Sequence, residues 1–279
     1  MKNIKTALTI AFALLVAVAP LSANKYDDPE IITKKIKLTE FTKISVSSGW
    51  DLYLTQGDNH SMIVKADAKS MESLETEIKE GVLIIKSKSK FSIIKNSKRV
   101  IHLTFIELEA LNTSGGCDIN FETKLRTENF QISMSGGSDL NNLDLEAKNL
   151  SLSTSGGSDA KINVGKIEYA KVTASGGSDV TLTKLDAQKF KMIISGGSDA
   201  TLSGTSKASK ITGSGGCDIS ATNFTTENCI INLSSAADAK MCVTGQLEVS
   251  LSGGSDFHCK GNPTITKRSI DRSSDFKMD

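Results

Sequence analysis

The chain has 279 residues, 33 of them basic and 32 acidic, so its formal net charge is +1. This balance gives no electrostatic argument for nucleic-acid binding. The chain is long enough to bury a large core, but aromatic residues make up only 5% of it. Such a composition favours a narrow, layered β interior over a globular core with bulky packing.

The first segment has the three parts of a secretory signal. Lys2 and Lys5 precede an apolar run over residues 7–20, and the small residue Ala23 stands before a polar stretch. We therefore predict a signal peptide over residues 1–23 and an exported protein that is periplasmic, on the outer surface or secreted. The apolar run is shorter than the roughly 20 residues of a membrane span, so we expect no membrane span after cleavage.

Residues 24–110 are predicted to form an N-terminal β region. Apolar and polar residues alternate with period two from about Ile31 to Glu109, which is typical of half-buried strands. The alternation on both sides of Glu80-Gly81 predicts a strand, a turn and a second strand over residues 74–85.

A repeat, Ser-Gly-Gly-Ser-Asp, dominates residues 111–279. Nine copies, some degenerate, end in aspartates spaced 18 to 21 residues apart: Asp118, Asp139, Asp159, Asp179, Asp199, Asp218, Asp238, Asp256 and Asp275. A period this regular indicates stacked supersecondary units. A further stretch, Ser47-Ser48-Gly49-Trp50-Asp51, matches the motif with Trp50 in place of the second Ser, and it predicts a related coil in the N-terminal region.

The residues that flank the motif predict the fold. In the first eight copies the third residue before the motif and the residue after its Asp are apolar, for example Ile132 and Leu140 around one copy. This alternation predicts strands that turn one side inward. Because the repeats offer no helix for crossovers, we predict an all-β right-handed parallel β-helix with coils of about 20 residues. An antiparallel sandwich or barrel is the alternative, which the recurrence of one turn motif in every coil disfavours.

The motif itself has the chemistry of a corner. Glycine permits positive φ, and Asp and Ser side chains bond exposed backbone amides. We therefore predict structural corners at eight glycines of the central copies: Gly136, Gly137, Gly156, Gly157, Gly176, Gly177, Gly196 and Gly197. If the strand continues through the motif, its fourth position faces inward and its Asp outward, which explains why Cys117, Cys217 and Ala237 can replace Ser there.

An outward column of aspartates would place unit charges about 4.8 Å apart. Each neighbouring pair would repel by a little under about 1 kcal/mol in water, so the column must be solvated, hydrogen-bonded or neutralised by cations. Calcium, which takes about six to eight oxygen ligands, is the one candidate cofactor, although the period and glycine order differ from the nonapeptide calcium repeat. The candidate ligands are Asp118, Asp139, Asp159, Asp179, Asp199 and Asp218.

The five cysteines do not predict an obvious disulfide. Cys117 and Cys217 occupy the same slot five units apart, about 24 Å at strand spacing, which is well beyond the limit of about 7 Å between Cα atoms. Cys242 and Cys259 fall in successive units and could pair, but buried free thiols are the preferred interpretation.

Catalytic signals are weak. His60, His102 and His258 are scattered without metal-ligand spacing, and the chain has no Gly-x-Ser-x-Gly elbow. One nearly identical Asp in each coil does not provide the two differently tuned carboxylates that a glycosidase uses. We therefore predict a protein that is not an enzyme.

Two stretches together with the repeats resemble a known family. Residues 41–58 (FTKISVSSGWDLYLTQGD) and 80–85 (EGVLII), followed by the Ser-Gly-Gly-Ser-Asp array, resemble the exported bacterial family called putative auto-transporter adhesin, head GIN domain, from about residue 40 to 260. The resemblance implies a β-helix and an adhesin role, and it transfers no catalytic residues.

The function that follows is a hypothesis of binding. We expect a non-catalytic exported β-helix that binds a surface or matrix component, a glycan or a protein, through one long flat face. Two alternatives stay open: a structural or envelope-stress periplasmic protein without a dedicated ligand, and a polysaccharide-active enzyme. Clustered aromatics would mark a sugar site, and Trp50, Tyr53 and Tyr169 are too far apart in sequence to demonstrate one.

Overall fold

A computed structural model describes residues 30–88 and 98–279, so the predicted signal peptide lies outside the described residues. These residues are 70% strand and 2% helix and form a β-solenoid of about eight turns, with coils about 20 residues apart. The predicted parallel β-helix is confirmed, and the sandwich or barrel alternative is wrong because consecutive coils pair as parallel strands. No helix among the described residues is long and apolar enough to cross a membrane.

The described residues form 23 strands and one short helix, α1 (Ala68–Ser73). In chain order the strands are β1 (Ile31–Lys37), β2 (Lys43–Ser47), β3 (Asp51–Gln56), β4 (Ser61–Asp67), β5 (Leu74–Lys79), β6 (Val82–Ser87), β7 (Arg99–Phe105), β8 (Ala110–Ser114), β9 (Asp118–Phe121), β10 (Leu125–Arg126), β11 (Asn129–Ser135), β12 (Asp139–Glu146), β13 (Asn149–Ser155), β14 (Ala160–Asn163), β15 (Lys166–Ser175), β16 (Val180–Ser195), β17 (Ala200–Ser214), β18 (Asp218–Ser234), β19 (Asp238–Val243), β20 (Gln246–Ser252), β21 (Asp256–Lys260), β22 (Thr264–Ile270) and β23 (Asp275–Met278).

Each coil contributes to two ladders of parallel strands that meet at the motif. We call the strand segments that end at the first Ser of each copy the front sheet, and those that begin at or just after its Asp the back sheet. Ser135 pairs with Ser114 in the front sheet, and Asp139 pairs with Asp118 in the back sheet. Equivalent residues of successive repeats therefore stand side by side on both sheets.

The N-terminal coils do not stack in chain order. β2 lies between β6 and β8, and β3 lies between β7 and β9, all in parallel pairing. Ser47 aligns with Ser114, which confirms the predicted additional copy of the motif. The coil made by β6 and β7 is added on the outer side of this first coil, and this explains the irregular interval of 67 residues between Asp51 and Asp118.

Antiparallel strands close the N-terminal end of the solenoid. β4 pairs with β7, β1 pairs with β4, and β5 pairs with β6, all antiparallel. The predicted strand, turn and strand over residues 74–85 are thus confirmed as β5 and β6. These strands cover backbone groups that an open solenoid end would present to other chains.

The interior is one continuous column of apolar side chains. The third residue before the motif is buried as predicted, for example Ile132, and so is Leu140 after the Asp. The fifth residue before the motif, for example Phe130, is buried as well. Trp50, the single Trp of the chain, is fully buried near the N-terminal end, where its Nε1 donates to Ser87 Oγ at 3.1 Å. The largest side chain is thus placed where the coils are irregular and the interior has room for it.

A buried polar network ties α1 to the first corner. Arg99 donates from Nε to Ser70 Oγ at 3.1 Å and from a terminal nitrogen to the carbonyl of Ser48 at 2.9 Å. Asp67 caps α1 by accepting hydrogen bonds from the amide and hydroxyl of Ser70 at 2.9 and 2.7 Å. Burial raises the pKa of Asp67, but these hydrogen bonds and the Arg99 charge outweigh burial and hold that pKa below its ordinary value.

Replacing Arg99 with Ala should destabilise the protein strongly. The change leaves the hydroxyl of Ser70 and the carbonyl of Ser48 without their donor and removes a charge that helps to lower the Asp67 pKa. Each buried polar group left unsatisfied costs about 1–3 kcal/mol. Because the Asp67 pKa is lowered in the folded state, its contribution is present above the ordinary carboxyl pKa and is lost as the pH falls through the folded value. The loss caused by Arg99→Ala, measured by urea unfolding, should therefore shrink in acid.

Arg126→Ala is the matched control. Its Nε lies 3.2 Å from Glu146 Oε2 in an exposed ion pair, and exposed pairs contribute at most about 1 kcal/mol. Equal losses for the two variants at neutral pH would contradict a supporting role for the buried network.

Candidate functional site

The motif turns the chain from the front sheet to the back sheet with two successive glycines at positive φ. The φ angles are 66° at Gly136 and 71° at Gly137, and those of the other six predicted corner glycines lie between 64° and 76°. A Cβ added to Gly136 would lie 3.0 Å from the backbone nitrogen of Gly115 in the neighbouring coil, whereas one added to Gly137 would meet nothing within 4 Å. The first glycine thus permits close stacking, and the second permits only the backbone conformation.

Substitutions at these two glycines should therefore differ in cost. Gly137→Ala should lower the free energy of unfolding by about 1–2 kcal/mol, the cost of a left-handed conformation for a residue with a Cβ. Gly136→Ala should lower it further, because its Cβ also meets the backbone of Gly115. Thermal and urea unfolding of both variants would measure the difference, and equal losses would show that close stacking does not constrain the corner.

The fourth position of the motif faces the interior, as the sequence predicts. Ser138, Ser158, Ser178 and Ser198 are fully buried, and Cys117, Cys217 and Ala237 are buried in the same position. The serine hydroxyls form a ladder between coils: Ser158 Oγ accepts the amide of Ser138 at 3.0 Å, and Ser198 Oγ accepts that of Ser178, also at 3.0 Å. These serines are therefore occupied with corner amides.

The aspartates form an outward column in which carboxylates also receive backbone amides. The amide of Asp118 donates to Asp51 Oδ1 at 3.2 Å, and that of Asp179 donates to Asp159 Oδ1 at 3.1 Å. The six predicted calcium ligands lie in this column, one to a coil. Among residues 30–88 and 98–279, no three His, Cys, Asp or Glu side chains are grouped so that they could hold a metal ion. Calcium binding by the column stays a prediction.

The first two aspartates of the column have raised pKa values. Burial is the main cause at both positions; the Asp118 charge adds to it at Asp51, and the Asp139 charge adds to it at Asp118. The amide of Asp118 acts in the opposite direction on Asp51. A raised carboxyl pKa means that the charged form lowers folding stability above the ordinary pKa. That loss disappears as the pH falls through the raised value.

Two substitutions at Asp51 separate its charge from its hydrogen bond. Asp51→Asn keeps an oxygen for the Asp118 amide and removes the charge, so the free energy of unfolding at pH 7 should equal or exceed that of the wild type, and any gain should vanish in acid. Asp51→Ala removes the acceptor and should cost about 1 kcal/mol. If urea unfolding shows Asn as damaging as Ala, the charge itself is needed at this position, as a bound cation would require.

The histidines do not assemble a catalytic centre. His60 packs against Phe41 with ring centroids 4.7 Å apart, and His102 stacks on Tyr53 at 5.0 Å. His258 lies in the C-terminal coils beside Asp279. The three imidazoles thus lie in separate surroundings.

All five cysteines are free thiols. Cys259 is buried opposite Met241 in the strand register, whereas Cys242 is half-buried opposite Lys260. Burial raises the pKa of Cys229 to about 12 and that of Cys259 to about 11, with a smaller contribution from a neighbouring thiol in each case. Thiols in this state are protonated and weakly reactive at neutral pH. We therefore interpret these two cysteines as packing residues of the core.

The outward side of the front sheet carries a contiguous basic patch. The strand register sets Lys171, Lys191 and Lys210 side by side on β15, β16 and β17, and it sets Lys189 beside Tyr169. Neighbouring strands are about 4.8 Å apart, so the three aligned lysines form a row along the solenoid axis. We call this surface the lysine face, and it consists of Tyr169, Lys171, Lys189, Lys191, Lys210 and Ile230.

The lysine face combines apolar and cationic groups around an open depression. Tyr169 and Ile230 are each 37% exposed. A shallow groove of about 360 Å³ between them is lined by all residues of the face except Lys171. Lys171 and Tyr169 line the adjoining groove of about 670 Å³, whose other residues include Glu107, Glu109 and Glu128.

Within the described part of the chain, the lysines of the face form no ion pairs. Lysine ion pairs within residues 30–88 and 98–279 involve Lys86, Lys148 and Lys277. In the row of the three aligned lysines, the next residues toward the C-terminus are Ile230 and then Glu248. The nearest carboxylate of that row, Glu248, is therefore two strands beyond Lys210; it lines the far end of the same groove without forming an ion pair with Lys189, Lys191 or Lys210.

Sequence reasoning missed this surface. Its signal is that Lys171, Lys191 and Lys210 each stand four residues before the first Ser of a motif copy. Alignment of the coils on the motif would have shown the row. Tyr169, which alone did not indicate a sugar site, lies at the edge of this row.

Comparison with solved structures finds similar folds. A putative adhesin from Parabacteroides merdae ATCC 43184 gives a TM-score of 0.71 at 15% identity, covering 90% of this chain and 97% of that chain. A putative adhesin from Parabacteroides distasonis ATCC 8503 gives 0.71 at 18% identity, covering 90% and 98%. A protein from the same organism named as a putative lipid binding protein gives 0.67 at 20%, also covering 90% and 98%. At these identities the likeness shows the fold alone.

Sequence comparison places the chain in a family. A search of curated proteins finds no significant match. The profile of the family described as putative auto-transporter adhesin, head GIN domain, matches residues 40–201 and 166–263, which together take in most of the solenoid and agree with the resemblance seen in the sequence. The chain belongs to this family of putative auto-transporter adhesins with a head GIN domain.

Proposed function

We propose that this protein is an exported, non-catalytic binding protein that attaches to a cell-surface or matrix component through the lysine face. The observation that carries the proposal is the contiguous row of lysines without internal ion pairs, bordered by exposed Tyr169 and Ile230. Exposed apolar groups beside uncompensated charge are typical of recognition surfaces. The adhesin description of the family supports both binding and a location outside the cytoplasm.

The rest of the solenoid supports this assignment by exclusion. The Ser and Asp residues of the motif are engaged with corner amides, so the repeated motif serves the fold. The aspartates stand one to a coil in similar surroundings, which does not favour the polysaccharide-active enzyme. A structural protein without a ligand would have no use for a row of three adjacent lysines along one sheet.

Charge replacement on the lysine face should weaken attachment without loss of folding. The front triple variant, Lys171→Gln with Lys191→Gln and Lys210→Gln, should bind isolated bacterial envelopes or a mucin-coated surface at least about tenfold more weakly. Its unfolding midpoint should be unchanged or raised, because like charges about 4.8 Å apart repel. Binding of the labelled purified protein and its thermal unfolding would be measured together.

The back triple variant, Lys65→Gln with Lys161→Gln and Lys240→Gln, is the matched control. Lys161 and Lys240 lie on β14 and β19 of the back sheet, and Lys65 lies on β4, which pairs with β7 beside β3 of that sheet. All three are exposed, and the variant has the same net charge as the front triple variant. Its binding should equal that of the wild type. If both triple variants bind as the wild type does, or both lose binding equally, the proposed attachment through the lysine face is wrong.

A further inference from the structure

The geometry of the lysine face limits the chemical class of its ligand, and this inference rests on the proposed function. The three aligned lysines follow the solenoid axis, one on each of three consecutive strands. A ligand that neutralises them must present several negative groups in a line. Lysine is a compact charge on a flexible stem and sets no bidentate geometry, so carboxylate and sulfate groups suit it equally.

A second row beside the lysines is rich in hydroxyl and amide groups. Two residues nearer the corner, the strand register aligns Ser153, Thr173, Ile193, Thr212 and Asn232. Four of these five residues offer side-chain donors and acceptors, and all of them are exposed or half-buried. A ligand that lies along the lysines would therefore pass a parallel row of groups suited to hydroxyls.

The apolar part of the face is small and local. Tyr169 presents an aromatic ring with a polar tip at one edge, and Ile230 closes the other end of the lysine row. Single-stranded nucleic acid is bound by several stacked aromatic side chains, and only one stands here. Membrane binding relies on a broad apolar side that enters the lipid, which this row of lysines and hydroxyls does not provide.

We propose that the lysine face binds an acidic polysaccharide that lies along the solenoid axis across β15 to β18. Its carboxylate or sulfate groups pair with Lys171, Lys191 and Lys210. Its hydroxyls meet the row from Ser153 to Asn232, and one sugar ring packs on Tyr169. Lys189, which stands beside Tyr169 in the strand register, adds a positive charge next to that ring.

Defined polymers test this proposal directly. Heparin supplies sulfate groups, polygalacturonate supplies carboxylates, and dextran is the neutral control, each titrated calorimetrically into the purified protein. We expect at least one acidic polymer to bind and dextran not to bind, with affinity that falls as salt rises, because exposed charges are screened within about 10 Å at 0.1 M. The front triple variant should raise the Kd at least about tenfold, and the back triple variant should leave it unchanged.

Two variants test the contact between the sugar and the Tyr169 ring. Tyr169→Ala should weaken binding of the acidic polymer, whereas Tyr169→Phe should keep most of it, because the proposed contact uses the ring. Failure of both acidic polymers to bind, equal binding of dextran, or equal effects of the two triple variants would overturn the proposal.

The polymer experiment and the envelope experiment test different claims, so their outcomes can be distinguished. If the front triple variant loses envelope binding but neither acidic polymer binds, the proposed function stands and the acidic polysaccharide is the wrong ligand. If an acidic polymer binds through the face but the wild type attaches to neither envelopes nor mucin, the ligand class stands and the proposed function is wrong.

Discussion

Close stacking of coils at the Ser-Gly-Gly-Ser-Asp corner is the constraint on which the rest of the structure depends. Two successive residues at positive φ turn the chain. In the copy that begins at Ser135, a Cβ on the first of them, Gly136, would lie 3.0 Å from the backbone nitrogen of Gly115 in the neighbouring coil. The degenerate copy at Ser235 and Ala236 keeps positive φ with ordinary residues, at a cost of roughly 1–2 kcal/mol for each. Glycine at both positions of the seven Ser-Gly-Gly copies avoids this cost.

Strict register turns each repeat position into a column, so a residue type that recurs in the repeat becomes a continuous row. Inward columns become the core, where Ile132 and its equivalents are buried. Outward rows of like charge are unfavourable by a little under about 1 kcal/mol for each neighbouring pair in water. Backbone amides engage the aspartate row. The row that contains Lys171, Lys191 and Lys210 has no such partners among the described residues. The aspartate row therefore serves the fold, whereas the lysine row is available to bind a ligand.

The fold was predictable because its signals are periodic. The spacing of the aspartates gave the coil length, and the alternation around Ile132 and Leu140 gave the buried side. The stacking order of the N-terminal coils was not predictable, because β6 and β7 pair in parallel with β2 and β3 out of chain order, and the alternation does not encode which strands pair. The lysine face was missed because each lysine is an ordinary surface residue in its own strand. Only the register of three coils, with the position of Ile230 and Glu248 beyond them, shows that the charges are adjacent and uncompensated.

Lysine-reactivity footprinting tests the central claim most directly. The purified protein is acetylated with a lysine-reactive reagent, free and bound to the acidic polymer, and modification at each lysine is read by mass spectrometry. The account predicts that Lys171, Lys191 and Lys210 become protected on binding, while Lys161 and Lys240 on the back sheet react as before. Protection of the back-sheet lysines instead, or equal protection on both sheets, would contradict a ligand-binding role for the lysine face.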